Sequence, residues 1–185
     1  MDWYNFSYFS QFSTTSHPCQ EVYGGKFLWY NGYESPVVCA GSYTPEGKLT
    51  APDFPGWQYA ADFVLVEADG SKRLPAKAHA AWEPVLPPER NRTVCVFGAS
   101  ALGQPIQDAA HRPELYASLA EVSPEAVITP AIAARVLAKE GGFDVLFINQ
   151  ADVLEDPAAA LQPFADVLPC PVAYGALAEG YWAKL

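Results

Sequence analysis

Four short apolar runs, each followed by a polar residue or a glycine, constrain the fold of this chain most. They lie at residues 63–66, 93–97, 145–148 and 172–174. A strand that is buried on both faces reads as an unbroken apolar run, because both of its sides meet the core. The pattern therefore predicts an α/β fold in which a mainly parallel sheet lies between two helical layers, a three-layer sandwich.

Helix start signals lie between these runs. Thr129-Pro130 and Asp156-Pro157 each combine a capping side chain with a proline that suits the first helical position. Gly141-Gly142 ends the first of these helices, and a further helix is predicted between residues 111 and 119. Alternating strands and helices indicate right-handed βαβ units.

The first 57 residues differ from the rest in composition, being rich in aromatic residues, glycine and serine. We expect this part to be irregular, apart from a strand at 37–40 and a loop at 45–56. Residues 58–185 would then hold the βαβ core. A chain of 185 residues normally folds as one domain, so a single α/β domain over residues 1–185 is predicted.

Charge and composition exclude several classes of protein. The formal net charge is −10 and there is no basic run, so we expect no nucleic acid and no anionic membrane surface as a partner. No apolar stretch reaches the roughly 20 residues that span a bilayer, and the N-terminus does not resemble a secretory signal. The 4 cysteines are scattered without a CxxC pair, which favours a reducing compartment. A cytoplasmic protein is predicted.

An acidic segment directly follows the first apolar run. Glu67 and Asp69 would point the same way on a strand, and Gly70 would allow a sharp turn toward Lys72. Two such carboxylates suit Mg²⁺, either directly or through its waters, while a lysine can reach a phosphate. The alternative is an ordinary solvated strand end, where acids and glycine are common.

A second polar segment, Asn149-Gln150-Ala151-Asp152, follows the third apolar run. It resembles the Asn-Lys-x-Asp sequence with which GTP-binding proteins read guanine, except that Gln150 replaces the lysine. Asp152 could equally cap a turn or a helix.

The remaining polar candidates carry weaker signals. His17, His79 and His111 lack the spacing of metal ligands and are expected to pack or to cap. Arg112, at a junction between loop and helix, is an expected anion contact. Gly24-Gly25-Lys26 is interpreted as a turn, because a phenylalanine follows where a phosphate loop needs a hydroxyl.

One long block of sequence resembles a known family. Residues 66–72, 74–78 and 83–87 resemble the hallmark block of the YqeC-like family, accessory proteins of selenium-dependent molybdenum hydroxylases. Further similar segments follow in order at 98–105, 111–114 and 147–152, and one precedes the block at 14–17. The resemblance covers about residues 13 to 175.

This resemblance implies a fold like that of the phosphate-loop NTPases and a role in selenium and molybdenum cofactor biosynthesis, with Mg²⁺ and ATP or GTP. It implies that the carboxylates of Glu67 and Asp69 bind the metal ion. Together with Lys72 they would be the catalytic residues. Phosphate or substrate contacts are implied at Lys72, Lys77 and Arg112. The segment that contains Asn149 and Asp152 would lie near the base of the nucleotide.

Family members normally begin with a strand and a glycine-rich loop ending in Gly-Lys-Thr, whereas this sequence starts after that point. We therefore expect weak or absent NTPase activity. The chain would be either a truncated product or a variant that has lost tight phosphate binding. A non-catalytic module that binds a molybdopterin-type cofactor or a partner hydroxylase is the main alternative. The third alternative is a nonfunctional fragment whose exposed sheet edges favour formation of a homodimer.

Overall fold

The computed structural model describes residues 65–185 throughout, together with 21–23, 26–29, 39–43, 45 and 49–50. The chain divides into two compact units, Trp3–Glu67 and Ala68–Leu185. The prediction of a single domain over residues 1–185 stays a prediction.

The unit Trp3–Glu67 contains a four-stranded antiparallel sheet in the order β1-β2-β3-β4. Its strands are β1 (Glu21–Tyr23), β2 (Lys26–Trp29), β3 (Cys39–Tyr43) and β4 (Leu49–Thr50). Only part of the third strand was predicted from the sequence, and residues 49–50 were expected to lie in a loop. Lys26 pairs with Tyr23 across two antiparallel strands, which is incompatible with a phosphate loop at this lysine.

The unit Ala68–Leu185 is built around a four-stranded mixed sheet. Its strands are β6 (Val94–Gly98), β8 (Val145–Asn149), β9 (Val172–Ala176) and β10 (Tyr181–Lys184). The order is β10-β9-β8-β6; β6, β8 and β9 run parallel, and β10 returns antiparallel to β9. Three of the four predicted parallel strands are thereby confirmed.

Four helices accompany this sheet: α1 (Ile106–Ala109), α2 (Pro113–Ala120), α3 (Pro130–Glu140) and α4 (Pro157–Val167). The two predicted caps are confirmed. The Thr129 hydroxyl accepts from the amide of Ile132 at 3.2 Å, and the Asp156 carboxylate accepts from the amide of Ala159 at 3.1 Å. These bonds satisfy amides that a helix start otherwise leaves unpaired.

A small parallel pair of strands lies outside the main sheet. Strand β5 (Ala76–Lys77) pairs with β7 (Ala110–His111), so that Lys77 lies opposite His111. The amide of Gly98 also donates to the carbonyl of Pro75 at 2.8 Å, which ties the start of this segment to the carboxyl end of β6. This pair was not predictable from the sequence, because two-residue strands carry no periodicity.

The hydrophobic core of Ala68–Leu185 lies on one face of the sheet. Phe97, Leu146, Ile148 and Val172 are buried there against residues of α2, α3 and α4. The alternate residues of β6 are more open, Val94 being 55% and Val96 37% exposed. An α/β fold with parallel strands is therefore confirmed, while the second helical layer stays a prediction.

The predicted strand at 63–66 is wrong where the structure describes it. Leu65 and Val66 have no regular structure, and Leu65 is 81% exposed; residues 63 and 64 lie outside the described residues. An apolar run alone cannot supply the partner strand that a buried strand needs. None of the helices in the described residues is long and apolar enough to cross a membrane.

Candidate functional site

A chain of six alternating charges links the loop after Ala68 to two helices. It runs through Glu140, His79, Asp69, Lys77, Glu83 and Arg112, each in contact with the next. All six lie in the unit Ala68–Leu185. We call this set the ion-pair network.

Lys77 lies at the centre of the ion-pair network. Its ammonium group contacts the Asp69 carboxylate, donates to the carbonyl of Gly70 at 2.9 Å and lies 3.3 Å from Oε2 of Glu83. Only 8% of its side chain is exposed. A lysine buried to this degree needs such acceptors, because desolvating an unpaired ammonium is costly.

His79 bridges two carboxylates. Its Nε2 lies 2.7 Å from Oδ2 of Asp69, and its Nδ1 lies 3.1 Å from Oε2 of Glu140, the last residue of α3. The backbone amide of His79 donates to the other carboxylate oxygen of Glu140 at 2.6 Å. Both ring nitrogens therefore face acceptors, an arrangement that suits the doubly protonated imidazolium.

Glu83 joins Lys77 to Arg112. The guanidinium of Arg112 donates through two nitrogens to the two oxygens of Glu83, at 2.7 and 3.3 Å, and the amide of Ala80 donates to the same carboxylate at 3.4 Å. The guanidinium carbon also lies 5.8 Å from the ring centroid of Trp82, within the range of a cation–π contact.

The charges of the network shift its pKa values. The hydrogen bond to Asp69, followed by that to Glu140, raises the pKa of His79 to about 9, although burial opposes this. Burial alone would raise the pKa of Asp69, but the hydrogen bonds from His79 and Lys77 outweigh it and hold that pKa below its ordinary value. For Glu83, burial is likewise outweighed, chiefly by Arg112, and its pKa is lowered. With His79 protonated, three acids balance three cations.

The structure brings together three of the residues singled out from sequence: Asp69, Lys77 and Arg112. Lys72 is exposed in the turn closed by a bond from the amide of Leu74 to the carbonyl of Ser71, 3.1 Å long, and its backbone is left-handed with a φ of 54°. Lys72 joins Arg112 and Lys77 in acting on His111, whose pKa is lowered first by burial and then by these cations.

The Asn149 and Asp152 segment forms a separate group at the carboxyl end of β8. The side-chain oxygen of Asn149 accepts from the amide of Leu177 at 3.1 Å, and that of Gln150 accepts from the Ser100 hydroxyl at 2.7 Å. Asp152 is exposed in a short 3-10 helix, Ala151–Val153. Within the described residues, neither Asn149 nor Asp152 bonds to a member of the ion-pair network.

The predicted pairing of Glu67 with Asp69 rested on a strand that the structure does not show. Residues 65–71 have no regular structure, so strand alternation does not apply, and Glu67 is an exposed residue of the other compact unit. The assignment of Glu67 and Asp69 as metal-side or catalytic acids stays a prediction.

The surroundings of Asp69 do not fit a directly bound Mg²⁺. Each oxygen of the carboxylate already contacts a cation, Lys77 on one and His79 on the other, and two neighbouring cations repel a divalent one. Within the part of the chain that the structure describes, no group of three or more His, Cys, Asp or Glu side chains is arranged to hold a metal ion.

Comparison with known proteins finds relatives of this chain. A family model described as YqeC protein matches residues 12–114, more than half of the chain. The chain belongs to the YqeC family. The uncharacterized protein YqeC of Escherichia coli (strain K12) is 30% identical to it in an alignment 115 residues long, and this match covers 55% of this chain and 45% of that protein. The chain thus spans about half the length of that relative, and no solved structure matches it significantly.

The YqeC match contains five of the six members of the network, and only Glu140 lies beyond it. Sequence reasoning missed His79, Glu83 and Glu140 as site residues, and it also missed Trp82. For His79 a signal existed, since it lies two residues after Lys77 in the block that resembles the family. Glu140 gave none, because it lies 61 residues from His79 in sequence.

Proposed function

We propose that this YqeC-family protein is a cytoplasmic accessory factor in the maturation of selenium-dependent molybdenum hydroxylases, acting in selenium and molybdenum cofactor biosynthesis. In this role it binds a nucleotide, ATP or GTP, as its Mg²⁺ complex. Its partners are the nucleotide and the hydroxylase or its cofactor, and a homodimer is the proposed assembly. Family membership supports this proposal through the resemblance of the hallmark block.

The observation that carries the nucleotide part is a gathering of cations around His111. Lys77 lies opposite His111 across two paired strands, Arg112 follows it in sequence, and the charge of Lys72 also acts on it. Lys77 and Arg112 are paired with Asp69 and Glu83, and the charge of Glu83 opposes theirs at His111. The exposed side chain of Lys72 and the 28% exposed side chain of Arg112 are therefore the cations that an anion such as a phosphate would meet.

The finer description of the fold belongs to the same proposal. We propose a three-layer fold of the phosphate-loop NTPase type. The parallel order of β6, β8 and β9 supports it. Since the carboxylate of Asp69 is occupied by Lys77 and His79, we expect weak or absent turnover. Turnover with Mg²⁺ and ATP or GTP that is abolished by Glu67→Gln would contradict this expectation.

Calorimetric titration of the full chain with ATP and GTP, each with and without Mg²⁺, tests the nucleotide part. We expect magnesium-dependent binding with a Kd below about 100 μM, or about −5.5 kcal/mol. Lys72→Gln should weaken it several-fold. Lys184→Gln, which removes an exposed lysine from β10, serves as the matched control and should leave the Kd unchanged. Absence of binding heat with either nucleotide would overturn this part.

The accessory role has its own test. Adding the protein to a purified selenium-dependent molybdenum hydroxylase that lacks its cofactor, together with a cofactor source, should raise the active fraction of the hydroxylase. An unchanged active fraction would count against the role.

A second function is favoured by the way Asp69 is engaged. Its carboxylate is occupied by Lys77 and His79, which makes it a poor catalytic base and a poor magnesium ligand. A non-catalytic module that holds a molybdopterin-type cofactor or a partner hydroxylase needs neither role. Binding of a molybdopterin-type ligand without binding of ATP or GTP would select this function.

A further inference from the structure

The loop formed by residues 80–85 exposes a tryptophan to solvent. Trp82 is 74% exposed, although burying its large apolar indole ring would be energetically favourable. Arg112 lies at a distance of 5.8 Å from its ring centroid. An aromatic ring that remains open to solvent and carries a guanidinium against it is a surface on which another planar ring can stack.

The loop that carries Trp82 is held at several points. The amide of Glu83 donates to the carbonyl of Ala80 at 2.9 Å, and the amide of Val85 donates to the carbonyl of Ala68 at 3.1 Å. The Glu83 side chain is fixed by Arg112, and Lys77 lies beside it. The ring is therefore attached to a rigid backbone, so stacking on it would cost little ordering entropy.

The backbone and the side chain of Arg112 are also held in place. Its backbone is left-handed, with a φ of 64° and a ψ of 62°, at the residue that precedes α2. This conformation is sparsely populated by residues other than glycine and is kept only where the surroundings enforce it. Here the two-point contact with Glu83 holds the guanidinium in place beside Trp82.

The charge of the surroundings selects among planar ligands. Lys72 is exposed, Arg112 remains 28% exposed, and both act on His111. A planar ring bearing a negatively charged group would place the ring on Trp82 and its charge beside Arg112, whose guanidinium carbon lies 5.8 Å from the ring centroid. An uncharged or cationic ring would use only half of this arrangement.

We infer that Trp82 and Arg112 form a stacking platform for a planar heteroaromatic ring that carries an anionic group, the chemistry shared by purine nucleotides and pterin carboxylates or phosphates. The inference rests on the proposed function and names the residues that would hold its ligand. Within it, Trp82 recognises the ring, and Arg112 both orients that ring and attracts the anion.

The test measures the Kd of the full chain for ATP, GTP, pterin-6-carboxylate and inorganic tripolyphosphate, by calorimetry. Trp82→Ala should weaken binding of the preferred ring ligand by about tenfold or more, and Trp82→Phe should recover part of the loss. Trp182→Ala is the matched control, since Trp182 is also 63% exposed and lies in β10. It should leave the Kd unchanged. The Kd for tripolyphosphate, which has no ring, should also be unchanged by Trp82→Ala.

The outcomes separate this inference from the proposed function. A nucleotide or pterin that binds the Trp82→Ala variant as tightly as the unaltered protein would overturn the platform and leave the proposed function standing. Tripolyphosphate binding as tightly as ATP would overturn it too, because the ring would then contribute nothing. No binding of any ring ligand would overturn both the platform and the nucleotide part of the proposed function. Preference for the nucleotide or for the pterin identifies the source of the ring.

Discussion

His79 and Asp69 form one contact of the ion-pair network, with Nε2 of the imidazole 2.7 Å from Oδ2 of the carboxylate. Because Glu140 accepts from the other side of the ring, this contact links the loop after Ala68 to the end of α3. The histidine thus acts as a cation inside the fold, and its protonation state should affect stability.

The free energy of unfolding should fall as the pH rises from 6.5 to 9. The pKa of His79 is raised from its ordinary value of 6.5 to about 9 in the folded protein, so protonation favours folding. This contribution is complete below pH 6.5 and disappears as the pH passes through 9. Since a quarter of the side chain is exposed, screening reduces it to about 1–2 kcal/mol. Urea unfolding between pH 6 and pH 10 measures it.

His79→Gln is the control for this pH dependence, because it keeps a polar side chain without the titration. Its stability should vary less over the same interval. An unaltered slope in the variant would show that another group is responsible.

Asp69→Asn should lower the free energy of unfolding by about 2–4 kcal/mol, because it removes the closest anion from the ammonium group of Lys77. Only 8% of the Lys77 side chain is exposed, so water cannot replace that anion fully. The pKa of His79 should fall at the same time, since the hydrogen bond to Asp69 is the largest cause of its rise. Urea unfolding and an NMR titration of the imidazole measure the two effects.

Asp152→Asn is the matched control, since Asp152 is exposed and does not contact the network. It should change stability by less than about 0.5 kcal/mol. Equal stability of the Asp69 and Asp152 variants would contradict the network's structural role.

Much of the fold follows from local signals in the sequence. Thr129-Pro130 and Asp156-Pro157 start helices because a capping side chain and a proline act within a few residues of each other. The strands β6, β8 and β9 were predictable from apolar runs that lie beside a helix in sequence. Local chemistry does not, however, decide whether such a run finds a neighbouring strand, and the prediction at 63–66 was wrong at Leu65 and Val66 for this reason.

The site was predictable only in part, because its contacts join distant parts of the chain. Asp69, Lys77 and Arg112 were named as separate anion or metal contacts, whereas in the structure they belong to one network. The bonds that assemble it span 29 residues from Glu83 to Arg112 and 61 from His79 to Glu140. Residue type and spacing carry no record of such pairings.

Gly98→Ala should destabilise the protein by about 1–3 kcal/mol, since a Cβ there would lie 2.7 Å from both Oε1 of Gln150 and Cβ of Pro75. The substitution would push the segment that leads to Lys77 away from the carboxyl end of β6. Thermal unfolding measures the loss. Gly70→Ala is the matched control, because no atom lies within 4 Å of its added methyl group, and its Tm should change little. A Tm equally unaffected in both variants would contradict the close packing at Gly98.

Cys95 should resist alkylation in the folded protein. Burial is the main reason that the pKa of its thiol rises to about 12, so almost no thiolate exists at pH 8. Mass-spectrometric mapping after treatment with iodoacetamide at pH 8 should find the Cys95 peptide unmodified in the native protein. The same peptide should be fully modified in urea, which provides the internal comparison. Rapid labelling of the native protein would contradict the raised pKa of this thiol. Resistance would mean that Cys95 cannot act as a nucleophilic carrier of sulfur or selenium in the proposed maturation reaction, because that chemistry requires the thiolate.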